Sequence, residues 1–275
     1  MMNKTLRLLA SLLIVSWGAF AQTPTGFQDQ LKVQGGITNG LFSTTGMTFD
    51  KIGGMYAIDA SGKVFAIRFD ANNVEQRYLM LDISNEVLNN GDLGLTSIVL
   101  DPDFLTNGHF YLMYAVNRLF LQDVINGNDG NSDSWADDAA NTGSIVRITR
   151  YTADINGSPN YTSLVPNSRL VLVGTIPSEG IPILGINHGG GCLLFGNDGT
   201  LLISTGDGGT GGDTGGLGEF QAAIDLGIIS PTQNVGNYRC QMDSCLNGKI
   251  LRVNPATGEG IASNPLFRKD RKSVV

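Results

Sequence analysis

Short apolar runs separated by glycine-containing turns repeat along the chain. The first group of runs covers 46–49, 55–58 and 64–69, and a hairpin-type turn lies at 59–63. Runs of this length, with a turn about every eight to twelve residues, are typical of short strands. No long stretch has the periodicity of a helix. The pattern therefore predicts an all-β fold.

Two further groups of apolar runs follow. They are 95–100, 110–116 and 145–151 in the second group, and 170–176, 192–195 and 201–205, continued by 249–253, in the third. Strands in groups of three or four are typical of a sandwich, a barrel or a propeller. The strand–turn–strand segments 49–58 and 195–204 are similar, and 100–112 is a longer version. Because repeated antiparallel units characterise propeller blades, the chain is predicted to be a β-propeller.

Composition narrows the class of protein. Hydrophobic residues make up 41% of the 275 residues, enough for a large core, and 37 glycines suit frequent tight turns. The formal net charge is −7. Nucleic-acid binding requires a basic surface, so it is not expected here.

Residues 1–21 have the pattern of a secretory signal peptide. Lys4 and Arg7 precede the apolar run 8–15, and Ala19-Phe20-Ala21 forms a small-x-small cleavage site. A membrane anchor is the less favoured alternative, because a spanning helix needs about 20 apolar residues. The mature chain is predicted to be secreted or periplasmic, with no stable membrane span.

The chain has three cysteines. Cys240 and Cys245 flank a turn-like segment, and an exported protein meets oxidising conditions, so a disulfide between them is predicted. Two unpaired thiols are the alternative. Cys192 lies in an apolar run and is predicted to be a buried, unreactive thiol. No spacing of histidines and cysteines indicates zinc.

An acidic, polar loop is predicted at 117–142. Its four central aspartates offer hard oxygen ligands that suit calcium; they are Asp129, Asp133, Asp137 and Asp138. Their spacing does not match a calcium-binding loop of the DxDxDG type. We therefore predict a solvated loop rather than a metal site.

Only two histidines occur in the chain. His109 is interpreted as a surface turn residue. His188 lies in the segment 187–191, where three glycines precede a predicted strand and would let a planar ligand approach the backbone. A neutral imidazole is a suitable proton acceptor at neutral pH. The alternative is a histidine that only completes a tight turn.

Asp207 follows the next predicted strand, in the glycine-rich segment 204–209. If the strands 192–195 and 201–205 form a hairpin, His188 and Asp207 emerge at the same edge. A carboxylate beside an imidazole fixes the tautomer of the ring and stabilises the imidazolium that forms on proton abstraction. The alternative is an ordinary turn aspartate.

Several segments together resemble the soluble quinoprotein glucose/sorbosone dehydrogenase family. The resemblance is carried, in order along the chain, by 93–104, 107–111, 187–191, 195–199, 204–209, 248–255 and 263–265. It extends over about residues 40–267. It implies a six-bladed β-propeller, of which 22–267 would supply about half the blades.

The resemblance also implies a chemistry. Members hold pyrroloquinoline quinone (PQQ), with Ca²⁺ orienting it, and oxidise the anomeric carbon of a sugar. His188 matches the residue that removes the hydroxyl proton, and Asp207 its acidic partner. The sugar and the electron acceptor stay open.

Other residues are assigned more loosely by the same resemblance. Asp92 and Asn187 would contact the substrate, although Asn187 replaces an acidic residue of the family. Gly189 and Gly190 would lie against the cofactor. Arg252 would have a structural role.

The resemblance does not assign the residues that bind the quinone carboxylates and calcium to this chain. The basic residues that grip the quinone and the oxygens that hold calcium are expected beyond the end of this chain. Residues 268–275 depart from the family pattern and are interpreted as a non-native or truncated tail. The alternative function is a non-catalytic, secreted propeller that binds a protein or a glycan, since folds are reused without their chemistry.

Overall fold

The computed structural model divides into two units, Met1–Gln34 and Gly35–Val275, and the second contains every strand given below. The described residues are Gly26, 31–35, 40–128, 143–209 and 220–265. The predicted signal 1–21, the four loop aspartates and the tail 268–275 lie outside them.

The first sheet is antiparallel and has the order β1-β2-β3-β4. Its strands are β1 (Thr44–Phe49), β2 (Met55–Asp59), β3 (Lys63–Phe69) and β4 (Glu75–Asp82). The turn between β2 and β3 is held by Asp59, whose side chain accepts hydrogen bonds from the backbone N–H groups of Ser43 and Ser61 at 2.7 and 3.0 Å. The first three strands were predicted. The pattern missed β4 because charged and apolar residues mix along it.

The second sheet is built around a long central pair. Its strands are β5 (Leu95–Leu100), β6 (His109–Ala115), β7 (Ser144–Thr152), β8 (Leu170–Val173) and β9 (Ile181–Ile183). Both β8 and β9 pair with β7. The prediction placed β8 with the third group, which is wrong. The nine-residue β7 is long enough for one part to pair with β8 and the other with β9.

The third sheet carries the loops that contain His188 and Asp207. It contains β10 (Leu193–Phe195), β11 (Leu201–Ser204) and β12 (Ile250–Val253), all antiparallel. Leu193 pairs with Ile203, which pairs in turn with Leu251. In the turn between β10 and β11, Gly199 has φ 75°, a left-handed conformation that favours glycine. The predicted hairpin is confirmed.

Both faces of the second sheet are buried at β6, where alternate side chains point to opposite faces. Leu112 and Tyr114 pack with residues of the first sheet, whereas Tyr111 and Met113 pack with residues of the third. All four side chains are almost completely buried. The three sheets therefore stack in chain order, with the second between the others.

The helices of the described part are short. They are α1 (Phe104–Asn107), α2 (Arg118–Ile125) and α3 (Gln221–Asp225), with 3₁₀ helices at Pro177–Glu179, Pro231–Gln233 and Gly236–Gln241. The longest, α2, has eight residues, and no helix in the described ranges has the length and apolarity to cross a membrane. His109 is the first residue of β6 and half-buried, which corrects its interpretation as a surface turn residue.

The cysteines differ from both predictions. Cys192 is exposed rather than buried, and it lies one residue before β10. Cys240 and Cys245 are both free thiols, so the predicted disulfide is not formed. Cys245 is instead buried, and its Sγ donates a hydrogen bond to the side-chain oxygen Oδ1 of Asn247 at 3.0 Å.

Candidate functional site

The β10–β11 hairpin continues beyond its strands as a ladder of backbone hydrogen bonds. Ser204 N–H donates to Cys192 O at 3.0 Å, Gly206 N–H to Gly190 O at 3.1 Å, and Gly208 N–H to His188 O at 3.0 Å. The ladder carries the segments before β10 and after β11 side by side. His188 and Asp207 thus leave the sheet at the same edge, as the hairpin predicts.

His188 and Asp207 form a direct side-chain contact. Nδ1 of His188 lies 3.0 Å from Oδ1 of Asp207, which also accepts the Gly209 backbone N–H at 3.0 Å. A carboxylate accepts only, so Nδ1 carries a proton, and in the neutral ring Nε2 is then an acceptor. The two side chains are 46% and 29% exposed, so a solute can reach the pair.

The backbone of His188 is held by a third loop. His188 has φ 57°, a left-handed conformation that costs a non-glycine residue about 1–2 kcal/mol. Its N–H donates to both carboxylate oxygens of Asp92, at 3.1 and 3.0 Å. The backbone N–H of Asp92 in turn donates to Ile186 O at 3.3 Å. The structure therefore brings Asp92 to the same site, directly before β5.

The three glycines after His188 differ in their surroundings. A Cβ atom added at Gly189 would lie 2.5 Å from Leu93 Cδ2, and one at Gly191 would lie 1.9 Å from Ser204 O. At Gly190 the nearest atom would be 3.6 Å away, on Thr96. Packing thus requires two of the glycines, and only Gly190 has room beside it.

Asn187 is half-buried beside the loop that carries Asp92. A Cβ atom added at Gly91 would lie 3.3 Å from Asn187 Oδ1 and 2.3 Å from Ile186 O. The two loops therefore approach closely at this glycine, which has φ 63°. Asn187 therefore lies near Asp92, the residue that follows Gly91.

Two buried residues that the sequence analysis did not single out hold these loops from within the fold. Arg118 is fully buried and donates through Nη2 to Gly185 O at 2.8 Å. Asn247 is also fully buried and donates through Nδ2 to Pro182 O at 2.8 Å. No local pattern distinguishes either from an ordinary turn or surface residue.

Two cations near the site are occupied or buried. Burial lowers the pKa of Arg239, which is 1% exposed, while the nearby side chains of Cys245, Asp207 and Cys240 oppose that shift. Its Nη2 has no hydrogen-bond partner in the described part of the chain. The Lys249 ammonium donates to Cys240 O at 2.5 Å and to Asn247 O at 2.8 Å.

In the described part of the chain, neither a metal-ligand cluster nor the cavity beside β5 includes the His188–Asp207 pair. Among the described residues, no group of three or more His, Cys, Asp or Glu side chains could hold a metal ion. A cavity of about 380 Å³ lies at the other end of β5 from Asp92, lined by residues 48–51 and 99–106. That cavity contains neither His188 nor Asp207.

Three stacked antiparallel sheets, with a polar pair on the loops at one end, define a β-propeller-type protein. The chain belongs to the glucose/sorbosone dehydrogenase family, whose sequence profile matches residues 43–275. Both the predicted family and the predicted all-β propeller fold are confirmed.

Solved structures of similar fold support the same class. The PQQ-bound aldose sugar dehydrogenase of Streptomyces coelicolor is 23% identical with a TM-score of 0.51, covering 82% of this chain and 48% of its own. A glucose dehydrogenase-type oxidoreductase of Thermus thermophilus is 20% identical with a TM-score of 0.50, covering 86% and 51%. This chain spans about half the length of these structures.

Arg252 has the contacts of a structural residue. Its guanidinium donates to Thr200 Oγ1 at 3.1 Å and to Asn264 Oδ1 at 2.9 Å, and it pairs with Asp198. These contacts tie β12 to the β10–β11 turn and to the segment after β12. The predicted structural role agrees with them.

Proposed function

We propose that the protein is a PQQ-dependent sugar dehydrogenase in which His188 removes the proton from a hydroxyl group of an aldose. The observation that carries the proposal is the 3.0 Å contact between His188 Nδ1 and Asp207 Oδ1. In the neutral ring this contact makes Nε2 the acceptor nitrogen of an accessible imidazole, which is the arrangement of a general base.

The two side chains divide the proton chemistry. The substrate O–H bond breaks and its proton goes to Nε2 of His188, which gives an imidazolium. Asp207 keeps its negative charge, holds the ring in the Nδ1–H tautomer and stabilises the imidazolium. When bound, PQQ supplies the two-electron acceptor that takes the hydride from the sugar carbon.

Asp92 and Asn187 are proposed to contact the sugar. Asp92 is exposed, and the His188 N–H occupies only part of the hydrogen-bonding capacity of its two oxygens. Asn187 lies at the neighbouring loop. Carboxylate and amide groups can both accept hydrogen bonds from sugar hydroxyls.

The residues present fit one side of a planar quinone. Gly190 carries no side chain, and a Cβ atom there would meet Thr96 and Asp92 only at ordinary van der Waals distance, so we propose that a flat ring lies against its backbone. Gly189 packs closely against Leu93 and has no open face. PQQ also carries carboxylates. Arg239 is buried and Lys249 donates to two backbone carbonyl oxygens, so other residues are proposed to bind these groups and Ca²⁺.

Export is proposed from the signal pattern of 1–21. We expect the mature protein to begin at Gln22, outside the cytoplasm. Fractionation of the native host and N-terminal sequencing would check this, and a protein that retains Met1 in the cytoplasm would contradict it.

The test of function uses the full-length gene product. It is incubated with PQQ and Ca²⁺, and reduction of an artificial dye is followed with a panel of aldoses. We expect turnover in the wild type, a loss of about a thousandfold or more in His188→Gln, and a similar loss in Asp207→Asn, which keeps the shape but favours the wrong tautomer.

His109→Gln is the matched control, because it replaces the chain's other histidine and should keep full turnover. A folded wild type without turnover on any aldose would overturn the proposal. Sugar or protein binding without oxidation would then favour the non-catalytic propeller.

A further inference from the structure

Asn247 is the buried residue that contacts both segments of the His188–Asp207 pair. Its Nδ2 donates to Pro182 O at 2.8 Å and to Gly206 O at 3.4 Å. Pro182 is on β9, in the chain segment that leads to His188, and Gly206 directly precedes Asp207. One amide therefore bridges the two backbones whose side chains form the pair.

The orientation of this amide is determined by its neighbours. The atoms near Nδ2 are carbonyl oxygens, which only accept, and the atom near Oδ1 is Cys245 Sγ at 3.0 Å. Burial raises the pKa of the Cys245 thiol, so the sulfur keeps its proton and donates. The amide is thus held at both ends, with its nitrogen towards the active-site loops.

The backbone around Gly208 packs directly on this amide. Gly208 has φ 65°, and a Cβ atom added there would lie 2.8 Å from Asn247 Nδ2 and 2.3 Å from Pro182 O. Gly208 O also accepts the Leu184 N–H at 2.8 Å, at the start of the His188 loop. A displacement at Asn247 therefore reaches both loops without an intervening flexible segment.

We propose that Asn247 is a positioning residue that sets the distance and orientation between the His188 ring and the Asp207 carboxylate. The effect of this positioning on catalysis rests on the proposed function. Without it, Pro182 O would lose this donor and Gly206 O would keep only the Gly248 N–H at 2.9 Å, so the loops would rearrange to recover hydrogen bonds. Proton transfer depends on geometry to within a fraction of an ångström, so a small shift lowers the rate.

The test compares two leucine variants of the full-length protein. Asn247→Leu keeps the side-chain volume and removes the amide. Asn264→Leu is the matched control, since Asn264 is also buried and makes two side-chain hydrogen bonds, both with Arg252 and away from the pair. Both variants should lose some thermal stability.

The deciding measurement is the ¹⁵N NMR signature of the His188 ring, assigned with His188→Gln and His109→Gln. It reports the tautomer without requiring any turnover. In the wild type and in Asn264→Leu we expect a protonated Nδ1 and an unprotonated Nε2. In Asn247→Leu we expect a mixture of tautomers and, if the enzyme is active, a kcat about tenfold to a hundredfold lower at nearly unchanged KM.

An unaltered His188 signature in folded Asn247→Leu would overturn the inference, whatever the activity assay shows. An altered signature in a protein that oxidises no sugar would support the positioning role and reject the dehydrogenase function. If the leucine variant does not fold, Asn247→Ser replaces it. A serine hydroxyl can serve only one of the two carbonyls, so an intermediate signature supports the inference and a wild-type signature rejects it.

Discussion

Both carboxylate oxygens of Asp92 accept the backbone N–H of His188, at 3.1 and 3.0 Å, across a separation of 96 residues. The interaction links the loop before β5 to the loop before β10. It holds His188 where φ is 57°, a left-handed conformation that is unfavourable for a residue with a side chain. The direction of the imidazole therefore depends on a residue of another sheet.

Removing this acceptor should release the His188 backbone. We expect Asp92→Ala to lose about 1 kcal/mol of unfolding free energy, because the hydrogen bond is charge-assisted but exposed. Turnover should fall by about tenfold or more, since the imidazole loses its orientation. Urea unfolding and dye-reduction kinetics measure the two effects.

Asp92→Asn should fall between the wild type and the alanine variant, because an amide oxygen can still accept the N–H. Asp103→Ala is the control for removing a carboxylate, as the Asp103 side chain makes no capping hydrogen bond to α1. Equal losses in Asp92→Ala and Asp103→Ala would contradict a specific role for Asp92.

Neighbouring glycines of the His188 loop should respond in opposite ways to alanine. Gly189→Ala places a methyl group 2.5 Å from Leu93 Cδ2, and we expect a loss of about 1–3 kcal/mol of unfolding free energy. Gly190→Ala has room and should fold with nearly wild-type stability. If a planar cofactor lies against Gly190, this variant should bind PQQ more weakly, as measured by titration calorimetry. Wild-type affinity in Gly190→Ala would remove that glycine from the cofactor site.

Protein stability should depend on the protonation of His109. Burial lowers the pKa of His109 below 6.5, Arg150 lowers it further, and Asp101 opposes the shift. Between the folded and unfolded pKa values the unfolded chain binds more protons, so the unfolding free energy rises with pH through this window and levels off above about pH 6.5. The contribution of neutral His109 to the unfolding free energy is lost as the pH falls through the pKa of His109 in the folded protein.

Urea titrations at about pH 5 to 7.5 would measure this slope. His109→Gln should flatten it, and His188→Gln serves as the comparison variant that retains His109. A slope that persists unchanged in His109→Gln would assign the pH dependence to other groups.

The thiols should differ in their reactivity. Cys192 is exposed, Cys240 half-buried and Cys245 buried, so a maleimide should modify Cys192 first in the native protein and Cys245 only after unfolding. Mass spectrometry after proteolysis identifies the labelled residues, and Cys192→Ser should remove the fast phase. Peptides joined through Cys240 and Cys245 under non-reducing conditions would show that the free thiols are not the native state.

The sequence by itself determined the local parts of this protein. Two short apolar runs and the turn at 197–199 predicted the β10–β11 hairpin, and an antiparallel hairpin necessarily brings the residues that flank it to one edge. That is why the proximity of His188 and Asp207 could be inferred before their distance was known. The family resemblance rested on the same local segments.

Only the tertiary structure decided which distant segments meet. The pattern could not show that β8 pairs with β7, because any apolar strand of suitable length satisfies the same pairing pattern. Nor could it bring Asp92 to the His188 backbone or Asn247 under both loops, since polar residues in loops have no periodicity that reveals their partners. Buried hydrogen bonds across long separations depend on how whole sheets stack, and that arrangement follows from the complete core rather than from any one segment.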